Sequence, residues 1–203
     1  MGAVATSITK QIEILKSRNM DFDMEEDKVK EILLDIGYYR LGFYWHPFEI
    51  DEKHNFKKGT KFSDVVSLYY LDVDLRSILT KYLNRIELNF RTKLIYYVSN
   101  KYKTSPTWFI DYKVVSRDFV ENFELHYNDD FINDNKTLRK HHAKYINDRY
   151  APAWKTLEFL TFGAVAKIYK SLNEEDIQVR ISELYGVRNH HKFINLLNMP
   201  IKS

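Results

Sequence analysis

Apolar residues recur along most of this chain at steps of three and four, the spacing of one face of a helix. Ile8, Ile12 and Leu15 predict an amphipathic helix over residues 6–18. Val29, Ile32, Leu33 and Ile36 predict a second. The capping-box form Asp23-Met24-Glu25-Glu26 opens it and Gly37 closes it. The run Tyr38 to Phe48 is too aromatic for a solvated helix, and predicts a short helix ending before Pro47, then an irregular piece through Ile50. Residues 51–59 form a polar loop.

From about Phe62 to Tyr102 there is neither Gly nor Pro. Leu71, Leu75, Leu79, Tyr82, Ile86, Phe90, Leu94 and Tyr97 predict one long helix, broken at most once. A helix of that length needs neighbours along it, which argues for a bundle. Tyr69, Val73, Ile78, Leu83 and Ile95 widen the stripe beyond a coiled-coil seam. Further on, Ser105-Pro106 starts a short helix with Trp108 and Phe109, and residues 116–127 read as helical. Residues 127–136 are the most turn-rich and read as a mobile loop, followed by a basic helix from Leu138 to Asn147. Pro152 opens a helix striped by Leu157, Leu160, Ala164, Ile168 and Leu172, with Gly163 as a close crossing or break. Asn173 caps a helix carrying Ile177, Ile181 and Leu184 and ended by Gly186. His190 to Asn198 forms the last. The expected class is all-α: a multi-helix bundle around one long central helix, in a single domain over residues 1–203.

Composition sharpens this in three places. Fifteen Tyr and thirteen Phe against six Gly and four Pro favour long helices and a semi-polar, ring-rich interior. A net charge of +3 permits an anionic partner without requiring one. The absence of Cys excludes disulfides, thiolate zinc sites and thiol catalysis. No apolar stretch approaches the roughly 20 residues that span a bilayer, so a cytoplasmic protein with no membrane partner is expected.

The phosphate-loop, dinucleotide, zincin and hydrolase-elbow motifs are all missing. His141-His142 and His190-His191 are adjacent pairs, about 100° apart on a helix, so no metal site and no cofactor is expected. Two basic patches carry chemistry instead: Arg139-Lys140-His141-His142 and Arg188-Asn189-His190-His191. On a helix the Arg and the second His of each would share a face, where a guanidinium holds a phosphate and an imidazole moves a proton. The plainer reading of each patch is a solvated basic face or a helix cap. Glu87 and Arg91 are most simply a helix salt bridge. Arg85 lies on the same long helix, and Arg40 sits in the aromatic run, where it can bind an anion or stack on rings. The candidate RNA-binding residues are therefore Arg40, Arg85, Arg91, Arg139, His142, Arg188 and His191, with no catalytic residue assigned.

Four stretches, in this order, resemble the Abi-like abortive-infection family of bacterial proteins, of the AbiD/AbiF type. They are QIEILKSRNMDF with EEDKVKEILLDIGYYRLGFYWHPFEI, then FKKGTKFSDVVSLYYLDVDLRSILTKYLNRIELNFRTKLIYYVSNKY, then APAWKTLEFLTFGAVAKIYKSL, then YGVRNHHKFINLLN. The resemblance implies a HEPN-like helical fold and a role in bacteriophage resistance. It also implies RNA as partner, a homodimer, and metal-independent RNA cleavage by an Arg-x(4–6)-His motif, with no small-molecule cofactor. The positions that would hold that His are Phe193, Ile194 and Asn195 after Arg188, Lys144, Tyr145 and Ile146 after Arg139, and Trp154, Lys155 and Thr156 after Arg149. In the family the motif stands beyond a segment resembling HKFINLLN, so the chain is expected to stop short of it. Apolar surface is then expected near Leu196, Leu197 and Met199, with self-association there. The expected function is phage defence through RNA, cleaving in a full-length form. The alternative is a non-catalytic module that binds RNA or protein.

Overall fold

The structure, a computed structural model, describes residues 4–197. Among the described residues there are eleven α-helices and only isolated β-bridges, so the fold is all-α as expected. Packing falls into two compact units divided between Tyr82 and Leu83.

The first unit holds α1 (Ile8–Ser17), α2 (Glu26–Asp35), α3 (Tyr38–Trp45) and the first half of α4 (Phe62–Lys101). Leu15, Val29, Leu33, Leu41, Trp45, Phe56, Phe62 and Val65 form its core. Ser7 caps α1 by accepting from the Lys10 amide. Gly37 ends α2 as expected: its amide donates to the Leu33 carbonyl, and its φ of 92° is open to glycine at little cost. The expected capping box does not form. Asp23 instead accepts from the Ser63 amide and hydroxyl, at 3.3 and 2.6 Å, and so ties the chain before α2 to the start of α4. A long-range partner has outcompeted the local one.

The second unit holds the rest of α4 with α5 (Arg117–Glu124), α6 (Asp129–Asp134), α7 (Lys136–Lys144), α8 (Ala153–Thr156), α9 (Phe162–Lys170), α10 (Glu175–Leu184) and α11 (His190–Leu197). Phe90, Leu94 and Val98 of α4 join Trp108, Phe109, Leu157, Ile168, Tyr169 and Ile181 in its core. Its rings carry polar work too. The Tyr169 hydroxyl donates to the Gln178 carbonyl while Gln178 Nε2 donates back to Tyr169, both at 2.7 Å. This is the semi-polar interior that the tyrosine content implies.

Four element expectations need correction. The turn-rich stretch 127–136 contains α6, because Asn128 caps it through the Phe131 amide. The helix opened by Pro152 breaks before Gly163, at Leu160, because Thr161 starts α9 by accepting from the Ala164 amide. Asn173 does not cap α10; its side chain donates to the Tyr112 carbonyl. The expectation that α4 is packed along its length also fails. It is buried at Phe62, Val65 and Val66 and again from Phe90, but Leu71, Leu75, Ile78, Leu79 and Tyr82 are each about half exposed or more.

Candidate nucleic-acid interface

The site begins with the aromatic run. It folds as α3 followed by a 3-10 turn at His46–Phe48, where Pro47 stops the helix. The inner face, Leu41 and Trp45, is buried. Tyr44 donates to Asp72 at 2.6 Å and fixes α3 against α4. The outer face then presents Tyr39, Arg40, Phe43 and His46. Tyr39 is 82% exposed and Phe43 67%, and their rings meet edge to face at 5.4 Å.

Beside this face lies an open cavity of about 490 Å³, lined by Tyr38, Tyr39, Phe43 and Trp45 together with Arg18, His46, Glu49 and His54. Arg18 arrives from the end of α1, its Nη1 3.5 Å from the Tyr38 hydroxyl. His54 arrives on a tight loop. The Asp51 carboxylate accepts from the Lys53 and Asn55 amides, and Ile50 N–H donates to the Asn55 carbonyl. His54 itself is held at φ 62°, which costs a residue with a Cβ about 1 kcal/mol. The Phe56 amide, donating to the Arg18 carbonyl at 2.8 Å, pins the loop to α1.

Glu49 organises the imidazoles. Its side chain is only 7% exposed, and Oε2 accepts from Nδ1 of His46 at 2.9 Å and of His54 at 3.0 Å. Burial pushes the Glu49 carboxyl up, but the bonds from His54 and His46 outweigh it and hold the group below its usual value. A carboxylate accepting at both Nδ1 atoms fixes each ring with Nε2 directed away from it. Rings, a guanidinium and oriented imidazoles around one cavity can stack a base and hold a phosphate.

The residues singled out from sequence divide. Arg40, Arg85, Arg139 and Arg188 are exposed, and so is His191. Arg91 is not a surface contact. It is 6% exposed, paired with Glu87 at 2.7 Å and donating to the Leu160 carbonyl at 2.9 Å, the salt bridge that its spacing suggests. His142 is also taken up by the fold. Nε2 meets the Tyr127 hydroxyl at 2.9 Å, and that hydroxyl already accepts the Ala151 amide; Nδ1 meets the Asp148 carbonyl at 3.1 Å. With both nitrogens engaged it is no partner for Arg139.

The second patch is not a shared face either. Arg188 and Asn189 precede α11, and Asn189 caps it by accepting from the Lys192 amide at 3.1 Å. Near the end of α11 Leu196 is 45% exposed, and Met199 lies outside the described residues. Sequence reasoning missed Arg18, His46, Glu49 and His54. The available signal was a Glu flanked by His three residues before and five after, across Pro47.

Fold and site together define an all-α protein with an exposed aromatic face beside a cavity lined by Arg18, His46, Glu49 and His54. The Abi-like protein family model matches residues 31–200, most of the chain, and the chain belongs to that family. The family's general role is abortive-infection defence against bacteriophage. No curated protein and no solved structure gives a significant match. No described helix is long and apolar enough to cross a membrane.

Proposed function

We propose that the protein serves phage defence by holding single-stranded RNA on the outer face of α3, in the cytoplasm. A form carrying the Arg-x(4–6)-His motif would cut that RNA as a HEPN-like ribonuclease. One observation carries the reading: the exposed Tyr39, Phe43 and His46 line one cavity with Arg18 and His54. Stacking on exposed rings is worth about 1–3 kcal/mol per base and tolerates any sequence. Arg40, exposed on α3, and Arg18, which lines the cavity, supply phosphate contacts at this face; Arg85, Arg139 and Arg188 belong to the second unit and are separate candidate contacts. Gel shifts with short single-stranded RNA at low salt test it. Retention that weakens steeply with salt is expected. Absence of any shift would favour the protein-binding alternative.

A second reading is favoured by α4 and is compatible with the first: the protein forms a homodimer. Leu71, Leu75, Ile78 and Tyr82 follow at steps of four, three and four, the seam of a helix pair. With Leu79 they expose on the order of 500 Å² of apolar surface, the scale at which patches mark interfaces. The occupant is a second copy, because the seam reads alike in both directions. An antiparallel pair sets Leu71 level with the second copy's Tyr82 and Leu75 level with its Ile78. It also sets Asp72 level with Lys81, opposite in charge.

A further inference from the structure

We propose that Glu175, His190 and His191 bind a divalent cation of the zinc class. Adjacent side chains leave a helix about 100° apart, which argues against two neighbouring histidines on one ion. Here the two rings converge all the same: both residues lie in the first turn of α11 and their rings lean together, centroids 4.0 Å apart and planes at 40°. Departure angle at the axis does not fix where a side chain's far end goes. Ligand atoms from Glu175, His190 and His191 all lie within 4.8 Å of one another.

His190 points to a ligand independently of this clustering. It is 8% exposed, and its Nε2 is buried with no hydrogen-bond partner among the described residues, facing Glu175 Oε2 at 3.9 Å. A buried imidazole nitrogen left unpaired has lost water without compensation. Glu175 is also the acidic residue in its turn that no lysine holds among the described residues. Lys101 pairs with both Glu174 and Asp176, the latter at 2.8 Å.

Two imidazoles and one carboxylate suit zinc-class ions, whereas magnesium and calcium prefer all-oxygen shells. Metal–ligand bonds of roughly 2.0–2.2 Å require the donors to close by about an ångström. Glu175 and His191 are exposed and can turn inward, while His190 is the fixed anchor. Two helix N-termini, of α10 and α11, oppose a cation here, but direct ligation outweighs partial charges at that range. The ion would tie the first turn of α10 to that of α11 and leave a coordination position open to solvent. Its role is to hold α11, separate from any RNA chemistry.

Calorimetric titration of the whole chain with zinc tests this, with cobalt absorption reporting the ligand set. One site per chain is expected, weakened at least tenfold in both Glu175→Gln and His191→Ala. Zinc should raise the Tm of the wild type and not of either variant, and millimolar magnesium should do neither. Both substitutions are at exposed positions, and circular dichroism checks that the variants fold. The proposal is overturned if zinc gives no saturable binding in the micromolar range, or if either variant keeps wild-type affinity. The latter result would move the ion to other histidines.

Discussion

Arg91 shows how a charged residue in this chain can belong to the fold. Its guanidinium joins Glu87 on its own helix to the Leu160 carbonyl, just where the chain breaks before α9. Arg91→Ala would remove a nearly buried guanidinium and leave the part-exposed Glu87 carboxylate and the Leu160 carbonyl without it. We expect a loss of about 2–4 kcal/mol, read as a lower urea midpoint with unchanged m-value. The Glu87–Arg91 pair was legible from i, i+4 spacing, but the Leu160 carbonyl, 69 residues away, was not. Asp23 teaches the same lesson. Its short-range pattern spells a capping box, yet its partner is Ser63, forty residues on. The Ser63 hydroxyl donates to the Asp23 carboxylate and holds its pKa below the ordinary value. That contribution is complete above the unfolded value near 3.9 and is lost as pH falls through the lower folded value. Asp23→Ala should therefore cost about 0.5–1 kcal/mol at pH 7, modest because the group is exposed, and the two proteins should converge in stability as pH falls below the ordinary carboxylate range.

At the scale of elements, the periodicity located α1, α2, α4 and α10 because each buries a face, and burial writes itself into spacing; α3 came from its aromatic run and Pro47. It misjudged short elements set by a single cap, such as α6 under Asn128 and α9 under Thr161. It also could not say what covers a stripe. The α4 stripe looked like core, and in the chain alone its middle faces solvent. In the proposed homodimer a second copy covers this stretch. Leu75→Glu on an exposed position should leave the monomer folded while abolishing a dimer in light scattering at tens of micromolar. A wild type that stays monomeric at that concentration would refute the α4 pairing.

For the whole molecule, helical periodicity together with the scarcity of Gly and Pro set the all-α class, and the family match spans residues 31–200. The candidate site was only partly legible. Arg40 was visible because it interrupts an aromatic run. Arg18, His46, Glu49 and His54 converge through the fold: one from the end of α1, two around a 3-10 turn, one on a loop held by Asp51. Their meeting depends on the Phe56–Arg18 backbone bond and a left-handed His54, neither of which has a pattern in sequence.

The central claim is that RNA sits on the α3 face. Fluorescence anisotropy of a labelled single-stranded RNA, at fixed low salt, compares the wild type with Tyr39→Ala/Phe43→Ala. Both side chains are exposed, so removing them leaves the core and the net charge intact. Loss of stacking should weaken binding about tenfold or more, with the salt slope unchanged because no phosphate contact is removed. Equal affinity of the two proteins would contradict the account.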